Sequence, residues 1–379
     1  MAELIFTTES FKPNGTPLTG VPMLLDSEMR LIEPVCAWLM NIAMIRGRTR
    51  SSETWRTYGE ALYDWWQTLE ANQWVWDQIT PIQAAAYRDR MLHKPSEQTG
   101  QPLAPTTING RVRIIAMFYR WCYARGLVKK VPFGAEEVMV ARHRPVGMLV
   151  HVDATSGCRP ANELTIRHMP MLPRPLAREA LCVVLNGMAS RDRLIVEWAL
   201  MTGIRRMEVA GLRVHQLPSD SAHAMPAIKL DPSKGGKSRM IYPPQPLIDR
   251  TSAYVREERS VIIRQARRRD GDYRDPGRLF LTEHGDVMTP RRIGSMFTKA
   301  AKKAGVIGSF HALRHTFATA MLRLLQRRAE QNPDMNPLLT LQIILGHSAI
   351  DTTGIYLRVL ATDLTLVEQS IDELYAGLA

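Results

Sequence analysis

The chain has 379 residues, of which 45% are hydrophobic and 23% charged, as is typical of a globular protein long enough for two domains. Its net charge of +12 favours a polyanionic partner such as nucleic acid, because neutralising phosphates releases condensed counterions, although a basic surface can also be inert. The four cysteines lack the spacing of disulfide frameworks or zinc ribbons, and we find neither a secretion signal nor an apolar run of about 20 residues. We therefore expect a reduced, cytoplasmic, nucleoid-associated protein that does not contact membranes.

The first 131 residues are predicted to form an N-terminal arm and a helical domain. Residues 1–24 are assigned to the arm because the stretch to Thr19 is rich in Thr, Pro and Gly. In residues 25–131, apolar residues recur at intervals of three and four, which predicts four amphipathic helices. These helices begin near Ser27, Ser51 or Ser52, Thr80, and Thr106 or Thr107. We expect their tryptophans and tyrosines to lie in the core, because large aromatic rings bury much area.

The last of these helices is basic and carries Arg111, Arg113 and Arg120. Guanidinium groups along a helix can contact DNA phosphates and fix a protein's register on the duplex. A solvated basic face is the alternative, because such faces are common. We predict that these three arginines bind DNA.

The middle of the chain, residues 132–172, shows no clear periodicity and is predicted to be an interdomain linker. Four potential metal ligands lie within it, but their spacing matches no standard site, so we expect no metal: His143, His151, Cys158 and His168.

A second domain is predicted over residues 173–379. An apolar helix ends at Gly203, and two short strands, Ala227–Asp231 and Arg239–Tyr242, flank a Gly-rich turn. The remainder is predicted to be mostly helical. Apolar residues in the tail after Tyr356 recur at helical spacing, which suits docking on this chain or on a neighbouring protomer.

Two groups of polar residues stand out in the first half of this domain. Arg205 begins a helix, where a guanidinium can fork two phosphate oxygens, and Glu208 lies one turn later to hold it in place. An ordinary structural ion pair is the alternative. The hairpin carries Lys234, Lys237 and Arg239, which suit DNA contact and proton donation from a mobile lysine, or only a solvated charged turn.

Two further groups lie near the C-terminus. His311 and Arg314 share one helix face and His315 lies one turn beyond His311, on an otherwise apolar helix, where such residues are costly unless they bind an anion. His347 follows the helix end at Gly346, and Tyr356 lies nine residues further along. A lone tyrosine is usually a core residue.

Together, these groups resemble the tyrosine recombinase, or phage integrase, family in type, order and approximate spacing. The resemblance rests on five short sequences: Thr-Gly-Ile-Arg at 202–205, Lys-Gly-Gly-Lys-Ser-Arg at 234–239, His-Ala-Leu-Arg-His at 311–315, Leu-Gly-His-Ser at 345–348, and Tyr356. It implies a mainly α fold with a small β-sheet, in which a helical, SAM-like core-binding domain at 25–131 and a catalytic domain at 173–379 form a C-shaped DNA clamp.

The resemblance also implies a role for each matching residue. Arg205 and Arg314 would clamp the scissile phosphate, with Lys234 as general acid, although Lys237 is the alternative in that turn. His311 would assist proton transfer from the tyrosine and His347 would hydrogen-bond the phosphate. The nucleophile would be Tyr356, whose phenol needs nearby cations to ionise. Glu208 and His315 would have supporting roles.

The implied function is site-specific DNA cleavage and religation through a 3′-phosphotyrosyl intermediate, without metal, ATP or another cofactor. The expected partners are double-stranded recombination sites, a homotetramer that forms on DNA from weakly associated or monomeric protein, and accessory DNA-bending proteins. The biological role would be integration, excision, transposition or resolution of a mobile element. Two alternatives remain: a type IB topoisomerase-like DNA relaxer and a DNA-binding accessory protein that does not cleave.

Overall fold

The computed structural model describes residues 1–13, 15–45, 51–95, 100–139, 158–168, 172–218, 226–231, 238–347 and 349–361. The chain divides into two compact units, Met1–Pro170 and Met171–Ala379. Both units are mainly helical and carry two-stranded antiparallel sheets, which confirms the predicted mainly α fold class. No helix within the described ranges is long and apolar enough to cross a membrane.

Where the structure describes it, the N-terminal unit combines four α-helices with two strand pairs. Its helices are α1 (Glu33–Met40), α2 (Ser52–Ala71), α3 (Pro81–His93) and α4 (Pro105–Tyr123). Its strands are β1 (Glu3–Phe6), β2 (Pro22–Leu25), β3 (Ala135–Met139) and β4 (Cys158–Asn162). The fully buried side chains include Trp38, Trp65 and Tyr119, as the sequence predicts for these aromatic residues.

The first 25 residues differ from the predicted arm, because β1 and β2 pair and pack on the helices. Ala2, Val21 and Leu24 are buried in the same core as the helices. Close approach depends on Gly59 of α2, since a Cβ there would lie 2.4 Å from the Pro22 ring. The two strands, of four residues each, are almost entirely apolar and show no alternation of apolar and polar residues, so periodicity does not reveal them in the sequence.

The segment predicted as a linker also contains structure. Strands β3 and β4 pair with each other, and residue 166 then returns to α4. The Asn109 side chain donates to the Ile166 carbonyl and accepts from its N–H, both at 2.9 Å. Residues 158–168 are therefore attached to the N-terminal unit. His143 and His151 lie outside the described residues.

The second unit is built from nine helices and one strand pair within the described ranges. Its helices are α5 (Arg178–Asn186), α6 (Ser190–Thr202), α7 (Arg206–Gly211), α8 (Gln245–Tyr254), α9 (Ser260–Arg269), α10 (Pro290–Lys303), α11 (Phe310–Gln331), α12 (Pro337–Leu345) and α13 (Ile350–Ala361). Its strands, β5 (Ile228–Leu230) and β6 (Arg239–Ile241), pair antiparallel where the sequence predicts two strands.

Two apolar clusters position the functional helices of this unit. The larger one surrounds α6 and includes Trp198, whose indole N–H donates to Thr251. The smaller one joins α11, α12 and α13 through residues such as Phe317 and Leu345, and it includes the ring of Tyr356. Burial of these apolar faces fixes the ends of α6 and α12 beside α11.

Candidate active site

Two helix ends meet beside α11, and both end at glycines in the left-handed conformation. Gly203 follows α6 and Gly346 follows α12, each with a φ of 63°. A Cβ at Gly203 would lie 2.4 Å from the Phe317 ring, and one at Gly346 would lie 2.5 Å from Cδ of Arg239. Backbone conformation and space both require glycine here, and the ends of the two helices leave carbonyl groups that need donors.

Arg314 supplies donors to both helix ends. Its side chain is buried, donating through one terminal nitrogen to the Gly203 carbonyl and through the other to the Leu345 carbonyl at 2.6 Å. Burial, followed by the charges of Arg205 and Arg239, lowers the pKa of Arg314 to about 9. The guanidinium is still charged at neutral pH, so α11 holds a buried cation between two helix ends.

A second cationic group is organised by Glu208, whose side chain is only 1% exposed. One carboxylate oxygen lies 2.9 Å from Arg205, and the other lies 2.9 Å from Arg239. The backbone N–H of Arg205 also donates to this carboxylate at 2.7 Å. Burial acts to raise the pKa of Glu208, but the two guanidiniums outweigh it and hold the pKa at about 2. Glu208 is therefore ionised and orients Arg205, as the sequence suggests.

Arg239, for which the sequence predicts a DNA contact, is bound within the protein. Its side chain is 8% exposed and, besides Glu208, donates to the carbonyls of Ile344 and Gly203. Because β6 passes directly beside both helix ends, the arginine after the turn points inward rather than to solvent. It links the strand pair to the helix ends and to Glu208.

Arg205 remains accessible and borders an open cavity of about 520 Å³. Its side chain is 30% exposed, and its second terminal nitrogen lies 3.4 Å from the Gly346 carbonyl. The cavity is also lined by His311, Arg314 and two exposed arginines that motif spacing does not reveal, Arg206 and Arg291. A Cβ on Gly294 would meet the Arg206 side chain at 2.5 Å, so Arg206 lies tightly against α10. The cavity therefore suits an anion.

The three histidines have different surroundings. His311 is exposed, and its pKa is lowered by partial desolvation and by Arg314 and Arg205. His315 is half-buried one turn further along, with its ring centroid 4.5 Å from that of His311. His347 is half-buried after Gly346, and its Nδ1 lies 2.9 Å from the hydroxyl of buried Thr353. Burial, followed by neighbouring charged and imidazole groups, lowers the pKa of both His315 and His347 to about 4.

Tyr356 lies among these groups and is 2% exposed. Its hydroxyl is 3.0 Å from Nδ1 of His315, and its ring lies nearly parallel to that of His347 with centroids 6.4 Å apart. Burial raises the pKa of the phenol, whereas the charges of Arg314 and Arg205 act to lower it. The structure thus gathers Arg205, Arg314, His347 and Tyr356 from four separate segments into one site.

Some predicted site residues lie elsewhere. Lys234 and Lys237 fall outside the described residues, as does the tail beyond residue 361. Arg113 and Arg120 are exposed on α4 of the N-terminal unit. Arg111, on the same helix, instead forms a 2.9 Å ion pair with Asp64. Part of the predicted basic face is thus neutralised within the unit.

Comparison with known proteins adds sequence relationships to this geometry. The model of the phage integrase family matches residues 178–362. The chain is 27% identical over 293 residues to tyrosine recombinase XerC 2 of Ralstonia nicotianae, an alignment that covers 67% of this chain and 76% of that protein.

Solved structures show a related fold. The Tn1549 transposon integrase in complex with circular intermediate DNA has a TM-score of 0.54 at 20% identity, over 85% of this chain and 94% of that one. The XerH site-specific recombinase bound to palindromic difH substrate has a TM-score of 0.52 at 17% identity, over 89% and 84%. At these identities the similarity concerns the fold alone.

Proposed function

Since the chain belongs to the phage integrase family of tyrosine recombinases, we propose that it cleaves and rejoins DNA at specific sites through Tyr356. The observation that carries this proposal is the meeting of a buried tyrosine hydroxyl with two arginines and two histidines from separate segments. If these residues only formed structural ion pairs, there would be no reason for them to surround the tyrosine hydroxyl. Their meeting suits a phosphodiester held beside a phenol nucleophile.

The arginines would stabilise the charge that develops on the phosphate. Phosphoryl transfer depends chiefly on positioning and on electrostatic stabilisation of the equatorial oxygens. Arg205 borders the open cavity and is aimed by Glu208, so it is placed to bind one phosphate oxygen. Arg314 contributes a buried positive charge, which its hydrogen bonds to two helix ends hold in place. His347, with its Nδ1 on Thr353, would present its other ring nitrogen to the phosphate.

The reaction is balanced without an energy source. The Tyr356 hydroxyl gives its proton to a histidine of the site as its oxygen forms a bond to phosphorus, the bond from phosphorus to the 5′ oxygen breaks, and a 3′-phosphotyrosyl link results. Lys234 would give the leaving 5′ oxygen its proton. A 5′ hydroxyl then reverses the step, so the phosphodiester is restored with no ATP. The assignment of Lys234 follows from the motif resemblance.

The substrate would be double-stranded DNA, which suits the net charge of +12 and the exposed Arg113 and Arg120 on α4. Two solved structures with a similar fold are of a recombinase and an integrase bound to DNA. Integration, excision, transposition or resolution by a tetramer on two duplexes would each use this chemistry.

The test uses duplexes tiled across the DNA that flanks the gene in its native replicon. Each duplex carries a nick that lets the cleaved fragment diffuse away, and the full-length protein is incubated with it in EDTA. We expect a denaturation-resistant protein–DNA adduct with the wild type and none with Tyr356→Phe, which keeps the buried ring. Shifted complexes without any adduct would contradict cleavage, and site-independent relaxation of a supercoiled plasmid would favour a topoisomerase instead.

A further inference from the structure

The hydroxyl of Tyr356 has one hydrogen-bond partner among the described residues, and it is His315. The Nδ1 of His315 lies 3.0 Å from the Tyr356 oxygen, with the two ring centroids 5.8 Å apart. His311, to which the motif resemblance assigns proton transfer, lies one turn earlier and is exposed. It lines the anion cavity together with Arg205. The two histidines of the His-Ala-Leu-Arg-His sequence therefore face different parts of the site.

We propose that His315, rather than His311, accepts the phenolic proton when Tyr356 attacks the scissile phosphate. This proposal rests on the proposed function and assigns a catalytic role to a residue for which the motif resemblance implies only support. His311, which lines the cavity, would then contact the phosphate. The assignment follows from placement, since a general base must lie within hydrogen-bonding reach of the proton that it removes.

The surroundings of His315 keep its ring neutral before DNA binds. Desolvation, then His311 and Arg314 on its own helix, holds the pKa of His315 near 4. Tyr356 of α13 faces it from the other side. A neutral imidazole with its proton on Nε2 has a free lone pair on Nδ1 to accept the phenolic O–H. A bound phosphate anion would offset the nearby positive charges and make His315 more basic at the moment of attack.

The proton balance of the attack follows from this placement. As the bond from the Tyr356 oxygen to phosphorus forms, the O–H bond breaks and its proton moves to Nδ1 of His315. The bond from phosphorus to the 5′ oxygen breaks, and that oxygen takes a proton from the general acid. On rejoining, His315 returns its proton to the departing tyrosine oxygen.

A purely structural role for the same contact makes different predictions. If His315 only docks the tyrosine, asparagine should replace it well, because an amide at the Nδ1 position can still accept a hydrogen bond. If His315 accepts the proton, His315→Asn should slow adduct formation by about 100-fold or more. His311→Asn is the matched control, with the same change on the same helix, and we expect a smaller loss from it.

The decisive measurement is single-turnover adduct formation by the full-length protein on a duplex that the wild type cleaves. A fluorinated tyrosine at position 356, whose phenol is a stronger acid, should restore the rate of His315→Asn at least about tenfold. A duplex with sulfur in place of the 5′ bridging oxygen needs no acid for its leaving group. It should therefore leave the His315→Asn defect in place.

Several results would overturn the proposal. One is a rate for His315→Asn within about threefold of the wild type; another is a larger loss in His311→Asn that fluorotyrosine restores. Gel shifts and melting curves show whether each variant folds and binds DNA. If His315→Asn does not fold, the proton transfer is tested in the protein with His315 intact. The solvent deuterium isotope effect on adduct formation should then be smaller with fluorotyrosine at position 356 than with tyrosine. Absence of any wild-type adduct would contradict the proposed function instead.

Discussion

The two units of the molecule each contain a carboxylate that bridges two arginines, and the comparison shows what burial adds. In the N-terminal unit, one oxygen of Asp64 receives Arg90 at 2.8 Å and Arg111 at 2.9 Å, and Asp64 is 20% exposed. In the second unit, Glu208 divides its two oxygens between Arg205 and Arg239 and is 1% exposed. If the carboxylate charge were removed, water could solvate the arginines around Asp64 but not those around Glu208.

The difference also concerns what the arginines do next. Arg90 and Arg111 pair with Asp64 at the edge of a helical domain whose core is aromatic. Arg205 and Arg239 continue to the helix ends at Gly346 and Gly203. The buried carboxylate therefore fixes a wall of the candidate active site, whereas the half-buried Asp64 joins three helices of a scaffold, α2, α3 and α4.

Removal of the charge on Glu208 should have the largest effect. Glu208→Gln keeps the shape but leaves two guanidiniums with a neutral partner, so we expect a loss of about 3–5 kcal/mol in the free energy of unfolding. Adduct formation in the folded fraction should fall by about 100-fold, because Arg205 loses its orientation. Chemical denaturation and single-turnover assays measure the two losses.

Glu197→Gln is the matched control for this change. Glu197 is also buried and pairs with Arg193 and Arg250, but both of those arginines are about half exposed. Their guanidiniums can return to water, so its loss should be smaller. Equal losses from the two substitutions would show that burial of the arginine partners is unimportant.

The free energy of unfolding should depend on pH in the acid range because of Glu208. The folded-state pKa of Glu208, about 2, lies below its ordinary value of 4.5. The stability that it contributes is therefore fully present above about pH 4.5 and is lost as the pH falls towards 2. A shift of this size corresponds to about 3 kcal/mol. Unfolding measured between pH 5 and 2 should depend less steeply on pH in Glu208→Gln than in the wild type; parallel curves would contradict this.

Arg239→Lys should have a smaller and more selective effect. A lysine ammonium cannot reach Glu208 and two helix carbonyls together, so we expect a loss of about 1–3 kcal/mol in stability. Adduct formation should slow while DNA affinity and its salt dependence stay unchanged. Lys229→Arg is a control that exchanges the same two cations at an exposed position of the neighbouring strand, and it should change neither stability nor adduct formation. A loss of DNA affinity in Arg239→Lys as large as the loss of adduct formation would restore Arg239 as a DNA contact.

The sequence predicts the catalytic residue types of the second unit better than the contacts that hold them in place. Arg205, Arg314, His347 and Tyr356 are recognisable through the type, order and spacing of their motifs taken together, since Arg205 alone suits a structural ion pair and a lone tyrosine is usually a core residue. The role of Arg239 is not predictable locally, because its burial depends on α12, which lies about a hundred residues later in the chain. His311 and His315 have the same residue type one turn apart, and only the position of α13 separates their contacts.

The N-terminal unit shows a different limit of sequence reasoning. Helical periodicity and aromatic content predict α1–α4 and their core. They do not predict β1 and β2, whose pairing joins residues about 20 positions apart across a Pro- and Gly-containing loop. Likewise, Arg111, Arg113 and Arg120 look equivalent in the sequence. Only the fold brings Asp64 against Arg111 and leaves the other two exposed.

Asp64→Asn should have the smallest effect on stability and tests the half-buried carboxylate of the comparison. The amide keeps an acceptor for the Tyr87 hydroxyl, which lies 2.6 Å from Asp64, and solvent can cover the released guanidiniums. We expect a loss of about 1 kcal/mol or less, which shrinks further in high salt. The substitution also frees Arg111, so DNA binding should strengthen slightly in Asp64→Asn and return to the wild-type level when Arg111→Gln is added. If Asp64→Asn instead destabilises the protein as much as Glu208→Gln, exposure does not distinguish the two carboxylates, and Arg111 belongs to the scaffold alone.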